Sequence, residues 1–189
     1  MLALHWQVNV IRPTGFFGPM LAEPVAASGV IERAARFHAA MRAAGVPVVY
    51  TRFTIPPDGG QLVYNTDFMR AVGEARDRFH PDSDGARLID EIGTPDHVVD
   101  NQKLSGLAGN GLSAWLAERA IDTVFVTGVA TNLTVEQTAR HGTDIGLTVY
   151  PVSDCVAAIT EEVHQASLAN LAMTTAGCRT AEQAIALLA

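Results

Sequence analysis

The run Val124-Phe125-Val126-Thr127 is apolar and β-branched until Gly128 interrupts it, and Val129 to Val135 then reads as the opening of a helix. A strand that breaks at glycine and passes at once into a helix carries unpaired backbone N–H groups to the carboxyl edge of a sheet. Donors of that kind stabilise a developing negative oxygen. Two other strand ends bring side chains with chemistry to the same edge. His5 closes the first apolar run, and an imidazole with an unperturbed pKa near 6.5 serves as acid or base at neutral pH. Asn101 and Lys103 follow the third run and, two residues apart, share one side of an extended chain. Arg52, at the end of the second run, is a candidate for meeting a ligand carboxylate. Plainer roles stand beside each of these: a bonded histidine at a strand end, a solvated lysine, an asparagine holding a turn.

The elements that position these groups follow from periodicity. Strand-like runs at Leu2 to Gln7, Val46 to Phe53, Asp96 to Asn101, Thr123 to Thr127 and Leu147 to Val152 alternate with helical patterns. A short sixth strand is expected near Cys178, with a terminal helix from Thr180. Ile31, Ala34, Ala35, His38 and Met41 recur at helical spacing, Ser28 is the expected N-cap, and Gly45 stops that helix. Residues 12–29 and 54–83 lack a sustained period and read as irregular connections. The predicted fold is α/β: a three-layer, doubly wound sheet of about six mainly parallel strands, forming one domain over residues 1–189. Such sheets bind ligands outside the carboxyl ends of their strands, near a switch in strand order.

Composition excludes several classes of partner. Twenty acidic against thirteen basic residues give a net charge of -7, with no concentrated basic patch, so neither nucleic acid nor an anionic membrane is expected. The longest apolar runs are of strand length, and Met1-Leu2-Ala3-Leu4 enters fold sequence without a cleavable signal, which predicts a cytoplasmic protein. Cys155 and Cys178 match neither a zinc site nor a redox pair, and the six histidines are scattered, so no metal and no cofactor is expected.

Several motifs together resemble the isochorismatase-like (cysteine hydrolase) family: Gln7 in the first strand, HVVDN at 97–101, SGLAGNGL at 105–112, GVATNLTVEQTA at 128–139, YPVSDCVAA at 150–158 and the helix bearing His164. The resemblance implies hydrolysis of an amide, ureide or vinyl ether by an aspartate, a lysine and a cysteine. Aligned without gaps, the family aspartate falls on His5, the lysine on Asn101 with Lys103 two residues on, and the cysteine on Thr134. It further implies a non-proline cis peptide at Val129-Ala130 that aims the Ala130 and Thr134 amides at one point. Gln7, Asn101, Ala130 and Arg52 are then the candidate substrate contacts, and His5, Lys103 and Thr134 the candidate catalytic groups.

Losing the thiol changes the available chemistry. A cysteine reacts as a thiolate and needs only a weak base, whereas a threonine hydroxyl needs a strong neighbour. Two mechanisms are open: His5 activating Thr134 for attack, or His5 with Lys103 performing acid–base work on a water or vinyl ether with no covalent intermediate. The second is preferred, because a branched hydroxyl is hard to activate. The function expected is therefore hydrolysis of a small polar metabolite by non-cysteine chemistry. The alternative is a non-catalytic relative that binds a metabolite or serves as a partner subunit. Resemblance also implies a homodimer or homotetramer.

Overall fold

The structure, a computed structural model, describes residues 1–188. Five strands, β1 (Leu2–Leu4), β2 (Val49–Phe53), β3 (His97–Asn101), β4 (Thr123–Val129) and β5 (Thr148–Ala157), pair in parallel in the order β3-β2-β1-β4-β5. The chain builds outward from β1 to one side through β2 and β3, then returns to the other side for β4 and β5. The order therefore reverses between β1 and β4, and a crevice opens at their carboxyl ends.

Alternation along β1 shows why this is a three-layer fold. Leu2 and Leu4 enter one core with Val49, Val126 and Leu116, while Ala3 enters the other with Phe37, Tyr50 and Phe125. Side chains of successive strand residues point to opposite faces, so a central strand buried on both sides reads as a continuous apolar run. Helices α1 (Val8–Ile11), α2 (Gly18–Ser28), α3 (Val30–Ala43) and α8 (Ala181–Ala186) supply residues to the second core. Helices α5 (Leu112–Glu118), α6 (Glu136–Asp144) and α7 (Glu161–Thr174) supply the first. Helix α4 (Asp67–Glu74) packs Met69 and Val72 with Phe53, Ile55 and Phe79 in a third cluster. No helix among the described residues is long and apolar enough to cross a membrane.

Several boundaries differ from the sequence expectation, each for a local reason. The connection over 12–29 contains α2, because Pro19 occupies its first turn, where the missing N–H has no intrahelical partner to lose. Gly29, at φ 65°, separates α2 from α3, and the Ser28 hydroxyl accepts from the Val30 N–H across that junction. Within 54–83, Thr66 caps α4 by accepting from the Met69 N–H at 3.1 Å. Strand β5 runs past the expected end at Val152, through Ser153 and Asp154 to Ala157, residues tolerated on an edge strand. The sixth strand reduces to a single bridge between Val152 and Arg179.

Candidate functional site

Strand β1 ends at Leu4, three residues short of the run's apparent length, because His5 turns into a left-handed conformation with φ 54°. Its N–H remains bonded to the Thr51 carbonyl at 3.1 Å, so the turn redirects the ring without detaching the backbone. A β-carbon-bearing residue in this region is uncommon and points to an imposed orientation. The ring lies against Phe53 edge-on, 6.0 Å between centroids, and His5 is buried.

Asn101 settles which ring nitrogen carries the proton. Its Nδ2 donates to the carbonyls of Lys103 and Ser105, each at 2.9 Å, which commits both amide hydrogens. The Oδ1 atom is then the group that faces His5 Nε2, at 3.4 Å. An oxygen only accepts, so neutral His5 is protonated on Nε2 and holds its lone pair on Nδ1. Among the described residues no protein group bonds Nδ1. Burial pushes the imidazole down to about 4, with the Asn101 bond opposing that shift. At neutral pH His5 is an uncharged base.

The end of β4 forms the opposite wall. Gly128 has φ 146°, and a Cβ there would run into the Leu4 carbonyl oxygen of the neighbouring strand. A cis peptide joins Val129 and Ala130. The chain then enters a wide turn, Thr131–Val135, in which the Leu133 and Val135 N–H groups both reach the Ala130 carbonyl, at 3.2 and 3.3 Å. Thr131 is held by His164, Oγ1 to Nδ1 at 3.0 Å. The Thr134 hydroxyl is enclosed and has no hydrogen-bond partner.

Between these walls lies a cavity of about 230 Å³ bordered by His5, Ala130, Asn132 and Thr134 together with Phe17, Phe53, Phe68, Val72, Leu104 and Leu133. Sequence reasoning did not single out Asn132, Leu104 or Leu133. The signal for Asn132 was its place between the turn's first residue and Thr134, but only the turn's geometry shows that it reaches the cavity. Phe17 and Phe68 stack 5.7 Å apart, with an interplanar angle of 11°, and come from segments read as irregular connections.

Four candidates are placed elsewhere, the first of them Asn101, which is fully buried behind His5 and does not border the cavity. Lys103 borders a neighbouring cleft with Ser105, Gln137, Arg140 and His141, because Asn101 turns inward and fixes the following turn by its backbone carbonyls. Arg52 meets a carboxylate, but one belonging to the protein: its Nε and Nη2 reach Asp100 at 2.7 and 2.9 Å across the β2–β3 pair. Gln7 is consumed by the backbone, accepting from the Phe53 N–H at 2.6 Å and donating to the Phe53 and Ala86 carbonyls. It ties the end of β2 to the chain leaving β1. Burial raises the thiol of Cys155 to about 12, and neither cysteine borders the cavity.

His38 illustrates a buried histidine with a different task. Trp6 Nε1 donates to Thr127 Oγ1, and His38 bridges Thr127 Oγ1 at 2.9 Å and Tyr50 Oη at 2.8 Å. Tyr50 Oη in turn donates to the Ile92 carbonyl. The donors run in one direction along this chain, which leaves His38 neutral, and burial followed by the Arg42 charge lowers its pKa to about 3.

The arrangement offers a neutral base beside an apolar cavity at the sheet's switch point, with no thiol and no cation on the cavity wall among the described residues. The family model of the isochorismatase domain matches residues 1–183. The chain is 26% identical over 175 residues to the isochorismatase family protein YecD of Escherichia coli O157:H7, covering 87% of this chain and 86% of that protein. It is 36% identical over 151 residues to the ureidoacrylate amidohydrolase RutB of Methylorubrum extorquens, covering 71% of this chain and 60% of that enzyme. A cysteine hydrolase from Pseudomonas syringae pv. phaseolicola 1448A superposes with a TM-score of 0.84 at 23% identity, over 99% of this chain and 90% of the other, a likeness of fold. With the domain model spanning all but the last six residues, the chain belongs to the isochorismatase family.

Proposed function

We propose that the protein is a hydrolase that cleaves an amide, ureide or vinyl ether by acid–base chemistry centred on His5, without a covalent intermediate. The observation that carries this reading is the His5–Asn101 pair: Asn101 occupies Nε2–H and leaves the Nδ1 lone pair uncommitted beside the cavity. Burial holds the imidazole at about 4, so His5 meets a ligand as an uncharged base where a carboxylate would bring a negative charge. For an amide, a water would add to the carbonyl carbon as His5 Nδ1 takes its proton, and the imidazolium would return that proton to the departing nitrogen. No group is oxidised or reduced, and the products are an acid and an amine. Relatives support the substrate type, since RutB is named for acting on ureidoacrylate.

Thr134 fits poorly as a nucleophile, because its oxygen is enclosed and makes no hydrogen bond to His5. The same enclosure, with Lys103 turned into the neighbouring cleft, favours a second reading in which the cavity captures a ligand without turning it over. Incubation with a panel of amides, ureides and vinyl ethers separates the two. Under the first reading His5→Ala loses about 100-fold or more in rate, with His5→Asn as the control for the left-handed backbone. Equal rates for parent and both variants would end the catalytic assignment. Assembly as a homodimer or homotetramer belongs to the same proposal and is checked by light scattering.

A further inference from the structure

Lys103 is the only lysine among the 13 lysine and arginine residues of the chain, and the chemistry proposed at His5 leaves it unused. Only its backbone carbonyl is engaged, by Asn101 Nδ2, and its ammonium has no partner among the described residues of a protein whose net charge is -7. The side chain is half-buried. Its Cγ and Cε lie 3.5 and 3.4 Å from the point that a Cβ on Gly109 would take, so the apolar stem is laid along the turn after β3 while the charged end stays free.

That amine borders a cleft of about 630 Å³, inside the size range of small-ligand sites. Gln137, Arg140, His141 and Asp144 border it from α6, at the three- and four-residue spacing that puts side chains on one side of a helix. Leu104 is the one residue shared with the His5 cavity, so the two spaces are adjacent but distinct.

Hydrogen-bond directions give the cleft a surplus of donors. Ser105 Oγ accepts from the Leu107 N–H at 3.2 Å, and the acceptor that its own hydrogen meets is His141 Nδ1, at 2.9 Å. Neutral His141 then carries its proton on Nε2, which has no protein partner among the described residues. Arg140 spends Nε and Nη2 on Glu136 Oε1, at 3.2 and 3.0 Å, which offsets its charge and leaves Nη1. Lys103 adds a cation paired with no carboxylate. Asp144, the last residue of α6, is the single carboxylate bordering the cleft, and it stands one helical turn beyond Arg140.

Three donor groups, one of them a full cation, suit a head with three charged oxygens, and a lysine ammonium binds phosphate as a point charge. A carboxylate set a turn away accepts from hydroxyls. The geometry points to this cleft as a second ligand site, taking the phosphate monoester of a small polyhydroxylated compound: the phosphate at Lys103, Arg140 Nη1 and His141 Nε2, the hydroxyls at Asp144. The site stands whether or not His5 is catalytic.

A chain with a single lysine makes the test direct. Calorimetric titration with glucose 6-phosphate should give saturable binding with a Kd below about 1 mM. Glucuronate, which exchanges the phosphate for a carboxylate, and inorganic phosphate, which lacks the hydroxyls, should each bind at least about ten-fold more weakly. Lys103→Gln should weaken glucose 6-phosphate about ten-fold or more. Reductive methylation with isotopically labelled formaldehyde marks one side chain and keeps its charge, and the dimethyl-lysine resonance should move along the same binding curve. A Kd above about 1 mM, either control binding as tightly as the ester, unchanged affinity in Lys103→Gln, or saturation that leaves the resonance in place overturns the inference. Should the variant fail to fold, as read from its urea unfolding, the resonance of the parent decides.

Discussion

Asn101 Oδ1 lies 3.4 Å from His5 Nε2, and the asparagine is itself locked by two backbone carbonyls of the turn that follows β3. A residue at the end of one strand thereby dictates the tautomer of a residue at the end of another, 96 positions away. Replacing that oxygen by a carboxylate changes both properties. Asn101→Asp places an anion against His5 and also against the Lys103 and Ser105 carbonyls, which it repels. His5 should then titrate well above its present value of about 4, read from imidazole resonances by NMR. The variant should lose about 2 to 3 kcal/mol in urea unfolding. An unchanged titration would show that the pair is not formed.

Acid lability follows from two buried imidazoles. His5 and His38 bind protons less readily in the folded chain, near 4 and 3, than the 6.5 of an unfolded histidine. Between those values the unfolded state holds more protons, so stability is fully present above pH 6.5 and falls as pH drops toward 4. At pH 5 each histidine costs about 2 kcal/mol relative to pH 7. Urea midpoints for the parent should fall across this window, and His5→Gln should remove part of the dependence, since the buried Met1 amino group and His164 also bind protons less readily in the folded chain. A parent with equal midpoints at pH 7 and pH 5 would contradict the burial of both rings.

A thiol placed at Thr134 should be unreactive. Thr134→Cys puts a thiol where the oxygen is enclosed, with no cation on the cavity wall to favour the thiolate. At pH 7 the new thiol should react with a disulfide reagent at least about ten-fold more slowly than an exposed cysteine. Rapid labelling of the variant above the parent's background would show an activating group that the geometry lacks.

Arg52 and Asp100 form a two-point ion pair whose side chains are 24% and 34% exposed. Solvent screens a pair of that exposure, so its loss should cost about 1 kcal/mol or less. Arg52→Leu should leave any hydrolytic rate on the amide, ureide and vinyl-ether panel unchanged. A change of ten-fold or more would return Arg52 to the cavity.

Gln7→Leu should be far more damaging, although the position touches no cavity. It strips both backbone groups of Phe53 and the Ala86 carbonyl of their partner inside the protein. Unsatisfied buried groups of this kind cost about 1 to 3 kcal/mol each, so a loss of about 3 kcal/mol or more is expected from urea unfolding. Chemical equality with the parent would mean that water replaces the amide.

Much of this protein was legible before its fold was seen. Periodicity placed the strand–helix repeats, and the Val124 to Val135 run marked the sheet edge where the cavity lies, because alternation and a glycine break are local properties of the chain. Proline and glycine misled where position within a helix mattered: residues 12–29 read as an irregular connection, yet Pro19 begins α2.

Residue type alone offered His5 as a base or a bonded histidine, Asn101 as a ligand contact or turn holder and Arg52 as a partner for a carboxylate. Which protein groups each of them meets was decided only in three dimensions. The bend at His5, the inward turn of Asn101 that sends Lys103 to the next cleft, and the Asp100 partner across β2 and β3 are contacts between strands far apart in sequence. Burial and hydrogen-bond direction depend on every neighbour at once, so the neutral imidazole and the uncharged cavity are properties of the packed chain.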